Sequence, residues 1–174
     1  MAVREVLRYP HPALKTVAAD APIDDPETTR VARDLLDTMG SFDHCVGLAA
    51  TQLGELTRIV AVDVTGHPKA TATHGLLLLA NPRVVSEEGG EVAREGCLSI
   101  PHLTANVRRT TEVTIEAGAL TLTDDGVEVT DLRIETDGFE ARCLLHEIDH
   151  LDGVLFLDRV DSLTRDVFRR KQYR

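Results

Sequence analysis

Cys143-Leu-Leu-His-Glu-Ile-Asp-His-Leu-Asp-Gly153 decides the reading of this chain, because it sets His146 and His150 four residues apart with Glu147 beside the first. On a helix that spacing points both imidazoles the same way. Two neutral imidazoles one turn apart can hold a transition metal, and an adjacent carboxylate can take a proton from water that the metal activates. The surrounding residues predict the helix. Asp137 is a good N-cap with Glu140 three residues on, as in a capping box; Phe139, Cys143, Leu144, Ile148 and Leu151 supply the apolar positions; Gly153 offers a stop. The plain alternative is a core helix whose histidines only hydrogen-bond, and the full His-Glu-x-x-His pattern favours the metal.

Outward from this segment, 174 residues make the length of one domain, and 43% hydrophobic residues suffice for a continuous core without staples. A single domain over 1–174 is expected. Cys45, Cys97 and Cys143, odd in number and scattered, do not resemble a disulfide framework and fit a reducing compartment where a thiolate can be a ligand. The opening Met1–Pro10 is charged throughout and the longest aliphatic run is only Leu76–Ala80, so the expectation is a soluble cytoplasmic protein with no membrane attachment.

The net charge of −10 is unevenly spread, since Ser162–Arg174 carries Arg165, Arg169, Arg170, Lys171 and Arg174 against Asp166 and so leaves −14 on residues 1–161. The body is expected to avoid nucleic acid, and no sequence-specific nucleic-acid contact is predicted. For the tail, 162–174, the pattern predicts a basic amphipathic helix end with Leu163, Val167 and Phe168 packed inward.

Asp25-Pro26-Glu27 combines an N-cap, a proline at the first helical position and an acid in the first turn, and Val31, Leu35, Leu36 and Met39 keep helical spacing until Gly40. Residues 58–64, 75–80, 91–94, 106–110, 112–117, 120–123 and 127–135 read as strands, the last two joined by the turn Asp124-Asp125-Gly126. Strands grouped between an early and a late helix predict an α+β fold: mainly antiparallel sheets around a C-terminal metal-binding core helix, with an N-terminal helix and a short C-terminal one.

Two histidines leave a catalytic metal short of a protein ligand. Cys97, in Arg94-Glu-Gly-Cys-Leu-Ser-Ile-Pro101, is a suitable third, although an isolated cysteine is also readable as a small buried hydrophobe. Gly96 permits close approach, and Pro101 is expected to end regular pairing there. In Cys45-Val-Gly-Leu-Ala-Ala-Thr-Gln-Leu-Gly54, small residues precede Gln52, whose amide could donate to an oxyanion; tight packing would explain the same residues.

In this order, the three stretches resemble the peptide deformylase family, and Val6-Leu-Arg-Tyr-Pro-His-Pro-Ala-Leu-Lys15 is similar to that family's opening segment. The resemblance covers nearly the whole chain. It implies removal of the formyl group from the N-terminal formyl-methionine of new proteins, with release of formate. It also implies a metal held by Cys97, His146 and His150, usually Fe²⁺ although Zn²⁺ can occupy such sites, with Glu147 as acid and base. Gln52 and the Leu98 backbone N–H would face the oxyanion. Val46, Gly47 and Gly96 would border a substrate bound as an added strand, with Cys45 beside it.

Two residues depart from the family pattern. Cys45 replaces a glycine and Leu145 a glutamine; a positive φ at Cys45 would cost about 1–2 kcal/mol. These departures keep open an N-acyl hydrolase of a specialised metabolite. His-Glu-x-x-His alone also fits a zinc endopeptidase, and the basic tail a non-catalytic relative that contacts ribosomes or peptides.

Overall fold

The computed structural model describes residues 2–71 and 73–170. Helix α1 (Pro26–Gly40) begins as predicted, with Pro26 at its first position and the Asp25 side chain accepting from the Glu27 N–H at 2.9 Å. Strands β1 (Gly47–Ala49), β2 (Ile59–Val62) and β3 (Leu77–Glu88) follow, then β4 (Glu91–Cys97) and β5 (Ile100–Arg109), then β6 (Glu112–Leu122) and β7 (Val127–Asp137). Helix α2 (Gly138–Leu151), one helical turn α3 (Leu163–Asp166) and β8 (Val167–Arg169) complete the described chain. All named pairings are antiparallel, in one sheet of order β1-β2-β3-β6-β7 and another of order β4-β5-β8. Among the described residues no helix is long and apolar enough to cross a membrane.

The two-residue repeat of the strands explains why helices pack on both faces of the larger sheet. Val60, Val62, Leu77 and Leu79 join Leu144, Leu145, Ile148 and Leu151 of α2, whereas Ile59, Ala61, Leu78 and Ala80 join Val31, Leu35 and Met39 of α1. Leu144 and Leu151 are fully buried, each worth about 1.5–3 kcal/mol by area removed from water. A third apolar cluster, containing Cys97, Ile100, Ala105, Val107 and Phe156, lies under the smaller sheet. The α+β class and antiparallel pairing are therefore as read from the sequence.

Several local expectations change. The 75–80 strand continues through Asn81, at φ 53°, and Pro82 to Glu88, with a register shift absorbing the interruption. Residues 112–117 and 120–123 belong to one strand, because Gly118 pairs in register with Asp131. Pro101 lies inside β5 and does not end it. Pairing jumps from Gly96↔Thr104 to Cys97↔Ile100, so Pro101 has no β4 partner to lack a hydrogen bond with. At the start of α2 the capping box is absent: Asp137 makes no side-chain cap, and Glu140 instead accepts from the His74 backbone at 2.8 Å and the Thr136 hydroxyl at 2.6 Å. Gly153, at φ 69°, does take the chain off the helix, and a Cβ there would come within 2.8 Å of the Lys15 carbonyl carbon.

The tail is the largest correction. After the single turn α3, Val167–Arg169 pairs with Leu103–Ala105 of β5, leaving Leu163 68% exposed and Phe168 37% exposed. An unpaired β5 edge supplies backbone partners that a short helix end would not. The portion of the predicted helix at 171–174 lies outside the described residues.

Candidate active site

Four separate elements bring the sequence-derived residues together. Cys97 ends β4; His146, Glu147 and His150 lie on α2; Gln52 follows β1 on a 3₁₀ turn; Leu98 occupies the tight turn into β5. Cys45, Val46, Gly47, Gln52, Gly96, Cys97, Leu98, His146 and Glu147 all line one cavity of about 290 Å³. His150 stands behind that wall, 1% exposed, with Nε2 3.2 Å from Cys97 Sγ.

The donor set fits a divalent metal. One ligand atom from each of Cys97, His146 and His150 lies within 4.8 Å of the others. His146 Nδ1 is engaged by Glu95 Oε2 at 3.0 Å, leaving Nε2 available to an ion. Burial by itself would raise the Cys97 thiol, but His150 and His146 hold it well below its ordinary value, which favours the thiolate that ligation requires. In the same pairing His146 resists the lowering effect of burial and is raised, chiefly by its hydrogen bonds with Cys97 and Glu95. The two rings meet edge to face at 5.0 Å between centroids.

Glu147 is the unsatisfied group of the cavity. Its Oε2 is buried and has no hydrogen-bond partner among the described residues. Burial pushes the carboxyl up to about 7, against the opposing pull of His146 and His150. Gln52 is oriented from both ends: its Oε1 accepts from the Ala49 N–H at 3.0 Å, and its Nε2 donates to Cys97 Sγ at 3.4 Å and Ser99 Oγ at 3.1 Å. Its amide therefore lies directly against the Cys97 sulfur.

Sequence reasoning assigned no role to Glu95, although its spacing from Cys97 carried a usable signal. Two residues apart on a strand, the carboxylate and the thiol share a face. Glu95 accepts from Arg109 Nε at 2.6 Å and Nη2 at 3.0 Å and from Arg142 Nη1 at 2.8 Å, while Arg109 Nη1 reaches Asp149 Oδ2 at 2.8 Å. Burial would raise the Glu95 carboxyl, but His146 and Arg109 hold it down to about 2. Arg109 thus joins the carboxylate that orients His146 to the residue preceding His150. Arg109→Met is expected to cost about 1.5–3 kcal/mol, because it removes the charge-assisted hydrogen bonds that tie Glu95 to Asp149 while Arg142 stays on Glu95 and Arg159 on Asp149, and denaturant unfolding measures the loss. A change below about 1 kcal/mol would deny the network that role.

A model of the polypeptide deformylase family matches residues 3–166. The chain belongs to that family. The peptide deformylase of Pseudoalteromonas translucida is 38% identical over 117 residues, which are 67% of this chain and 66% of that relative, slightly under two thirds of its length. The deformylase crystal structure from Legionella pneumophila has 34% identity and a TM-score of 0.77, covering 94% of this chain and 89% of that one. The Synechococcus elongatus deformylase in complex with actinonin has 32% identity and a TM-score of 0.77, covering 92% of this chain and 80% of that one. Deformylases are metal-dependent hydrolases, in keeping with the donor set.

In this chain Gly47 is required by its neighbour: a Cβ would fall 2.6 Å from Glu147 Oε1 and 2.9 Å from its Cγ. Gly47→Ala is therefore expected to displace Glu147 and lower kcat by about 10²-fold, the scale of a 1 Å misplacement, while metal content stays constant. Steady-state kinetics beside metal analysis would refute this if kcat were unchanged. Cys45 has no positive φ, so the anticipated backbone strain is absent. Its thiol points at the Gly47 carbonyl, 3.1 Å away, and burial, followed by the charge of Glu147, pushes it up to about 12. Leu145 packs into the apolar core under α2 and does not line the cavity.

Proposed function

We propose that this chain removes the formyl group from N-formyl-methionyl peptides of newly made proteins, releasing formate and a free α-amine. The observation that carries the reading is the unpartnered Glu147 carboxylate beside the Cys97, His146 and His150 donors, inside a cavity bordered by two sheet edges. β1 and β4 are each the last strand of their sheet, and Gly47 and Gly96 bring those edges to the cavity. An extended peptide can hydrogen-bond between them as an added strand, with Val46 and Cys45 along its flank.

Cys97, His146 and His150 would hold the ion, which when bound supplies Lewis acidity to water and to the formyl oxygen. Fe²⁺ is the proposed native ion, with Zn²⁺ able to take its place. Glu147 Oε2 takes a proton from the attacking water, a role suited to a carboxyl that burial raises to about 7. As the carbonyl carbon becomes tetrahedral, negative charge grows on its oxygen. Gln52 Nε2 turns one N–H from Cys97 Sγ toward that oxygen, and the Leu98 N–H supplies the second donor, each worth about 2.7–4 kcal/mol. Glu147 then returns the proton to the leaving nitrogen. Because a formyl carbon bears only hydrogen, close walls reject acetyl and longer acyl groups.

Turnover of formyl-Met, acetyl-Met and internal-peptide substrates by metal-loaded protein tests the reading. Formyl-Met hydrolysis with no cleavage of the other two supports it; cleavage of internal peptides would instead favour a zinc endopeptidase. Cys45 in the cavity wall keeps an N-acyl hydrolase of a specialised metabolite as a second reading, and preferential turnover of a non-peptide acyl amide would select it. A cytoplasmic location belongs to the same proposal. Ribosome contact through the basic tail rests on charge, with Val167–Arg169 already engaged by β5.

A further inference from the structure

Three exposed cations, Lys69, Arg94 and Arg170, line the cavity of a chain whose net charge is −10. None of the three forms an ion pair among the described residues, whereas most other arginines face a carboxylate. Among the described residues, the carboxylates lining the cavity are Glu95 and Glu147. Both are buried, and Glu95 is already engaged by Arg109, Arg142 and His146, so neither neutralises the opening.

The strand at the tail positions two of these cations. Arg94 lies with its guanidinium carbon 3.6 Å from the centre of the Phe168 ring and donates to Thr104 Oγ1 at 3.3 Å. Arg170 extends the β8 pairing, its backbone N–H donating to the His102 carbonyl at 2.9 Å. Its guanidinium lies over Gly96, where an added methyl would come within 2.5 Å of Nη2. Lys69 sits 5.8 Å from the Phe139 ring centre, and His67 stacks on the same ring at 4.2 Å. Partial burial, followed by the positive charges of Lys69 and His44, lowers the affinity of His67 for a proton, which is consistent with a positive field at this opening.

We propose that Arg94 and Arg170, assisted by Lys69, form a carboxylate-binding subsite that favours peptides with an acidic side chain one or two residues after the formyl-methionine. This inference rests on the deformylase reading. An extended peptide advances about 3.3 Å per residue, so those positions leave the reacting carbon and run along the edge that Arg170 overhangs. A carboxylate could come from a side chain or from the end of a short peptide. In a newly made protein the chain end is remote, which selects the side chain.

The test compares kcat/KM for amidated formyl-Met-Ala-Glu-Ala, its Gln and Lys counterparts, and the same set with the variable residue directly after methionine. The Glu peptide is expected to exceed the Gln peptide by about 3–10-fold at low salt, mainly through KM, with Lys lowest and the preference shrinking as salt is raised. In R94Q/R170Q the Glu:Gln ratio is expected to fall to near one, while R133Q, on β7 outside this cavity, retains it. A wild-type ratio near one at both positions overturns the subsite, as does a ratio that survives R94Q/R170Q. A preference for a free terminal carboxylate without one for Glu would overturn the side-chain assignment. No turnover of any formyl peptide would defeat the deformylase reading and this inference together, whereas turnover without preference defeats the inference alone.

Discussion

Glu147→Gln is expected to retain its metal and lose turnover, with kcat falling by about 10²–10⁴-fold. Glutamine preserves the shape of a side chain whose neighbour Gly47 leaves no spare room, so the protein should remain folded. What it removes is the proposed proton acceptor. The wild-type Oε2 has no protein hydrogen-bond partner among the described residues. Metal analysis and steady-state kinetics on one preparation decide the point: full occupancy with near wild-type kcat would remove Glu147 from the chemistry.

Cys97→Ser is expected to weaken metal retention by more than about 10²-fold, while Cys143→Ser keeps its metal. The two cysteines are both buried, but their surroundings act in opposite directions. Histidines beside Cys97 draw its thiol toward the thiolate; burial at Cys143, with the charge of Glu147, pushes that thiol upward. A serine hydroxyl at position 97 remains protonated near neutral pH and is a poor replacement for a thiolate. Dialysis followed by metal quantification separates the variants, and equal retention by wild type and Cys97→Ser would refute the proposed ligand set.

The helix bearing His146 and His150 was readable because one-turn spacing and apolar periodicity are local properties, as was α1 through Asp25 and Pro26. The Glu95–Arg109–Asp149 connection was not, since it joins charges 14 and 40 residues apart that only β4, β5 and α2 assemble. β8 was hidden for a related reason. Three residues carry too little periodicity to define a strand, and their partner is the remote edge of β5. Pro101 misled through a sound local rule, because the register jump beside it removes the ladder bond that proline would have broken. Cys45 and Leu145 diverge at the site: one lines the cavity, while the other belongs to the apolar core.

Open sheet edges invite other chains to pair with them, and the groove proposed here needs two such edges. β1 contributes only three residues and β4 carries Glu91, Arg94 and a glycine, so either edge offers little continuous backbone to another folded copy. β7, the eleven-residue strand at the far side of the larger sheet, exposes Glu128, Asp131, Arg133 and Glu135. The groove can thus admit one flexible peptide while short length and charge discourage edge-to-edge aggregation. In the proposed binding mode, receptivity to an added strand is confined to the segment beside Glu147.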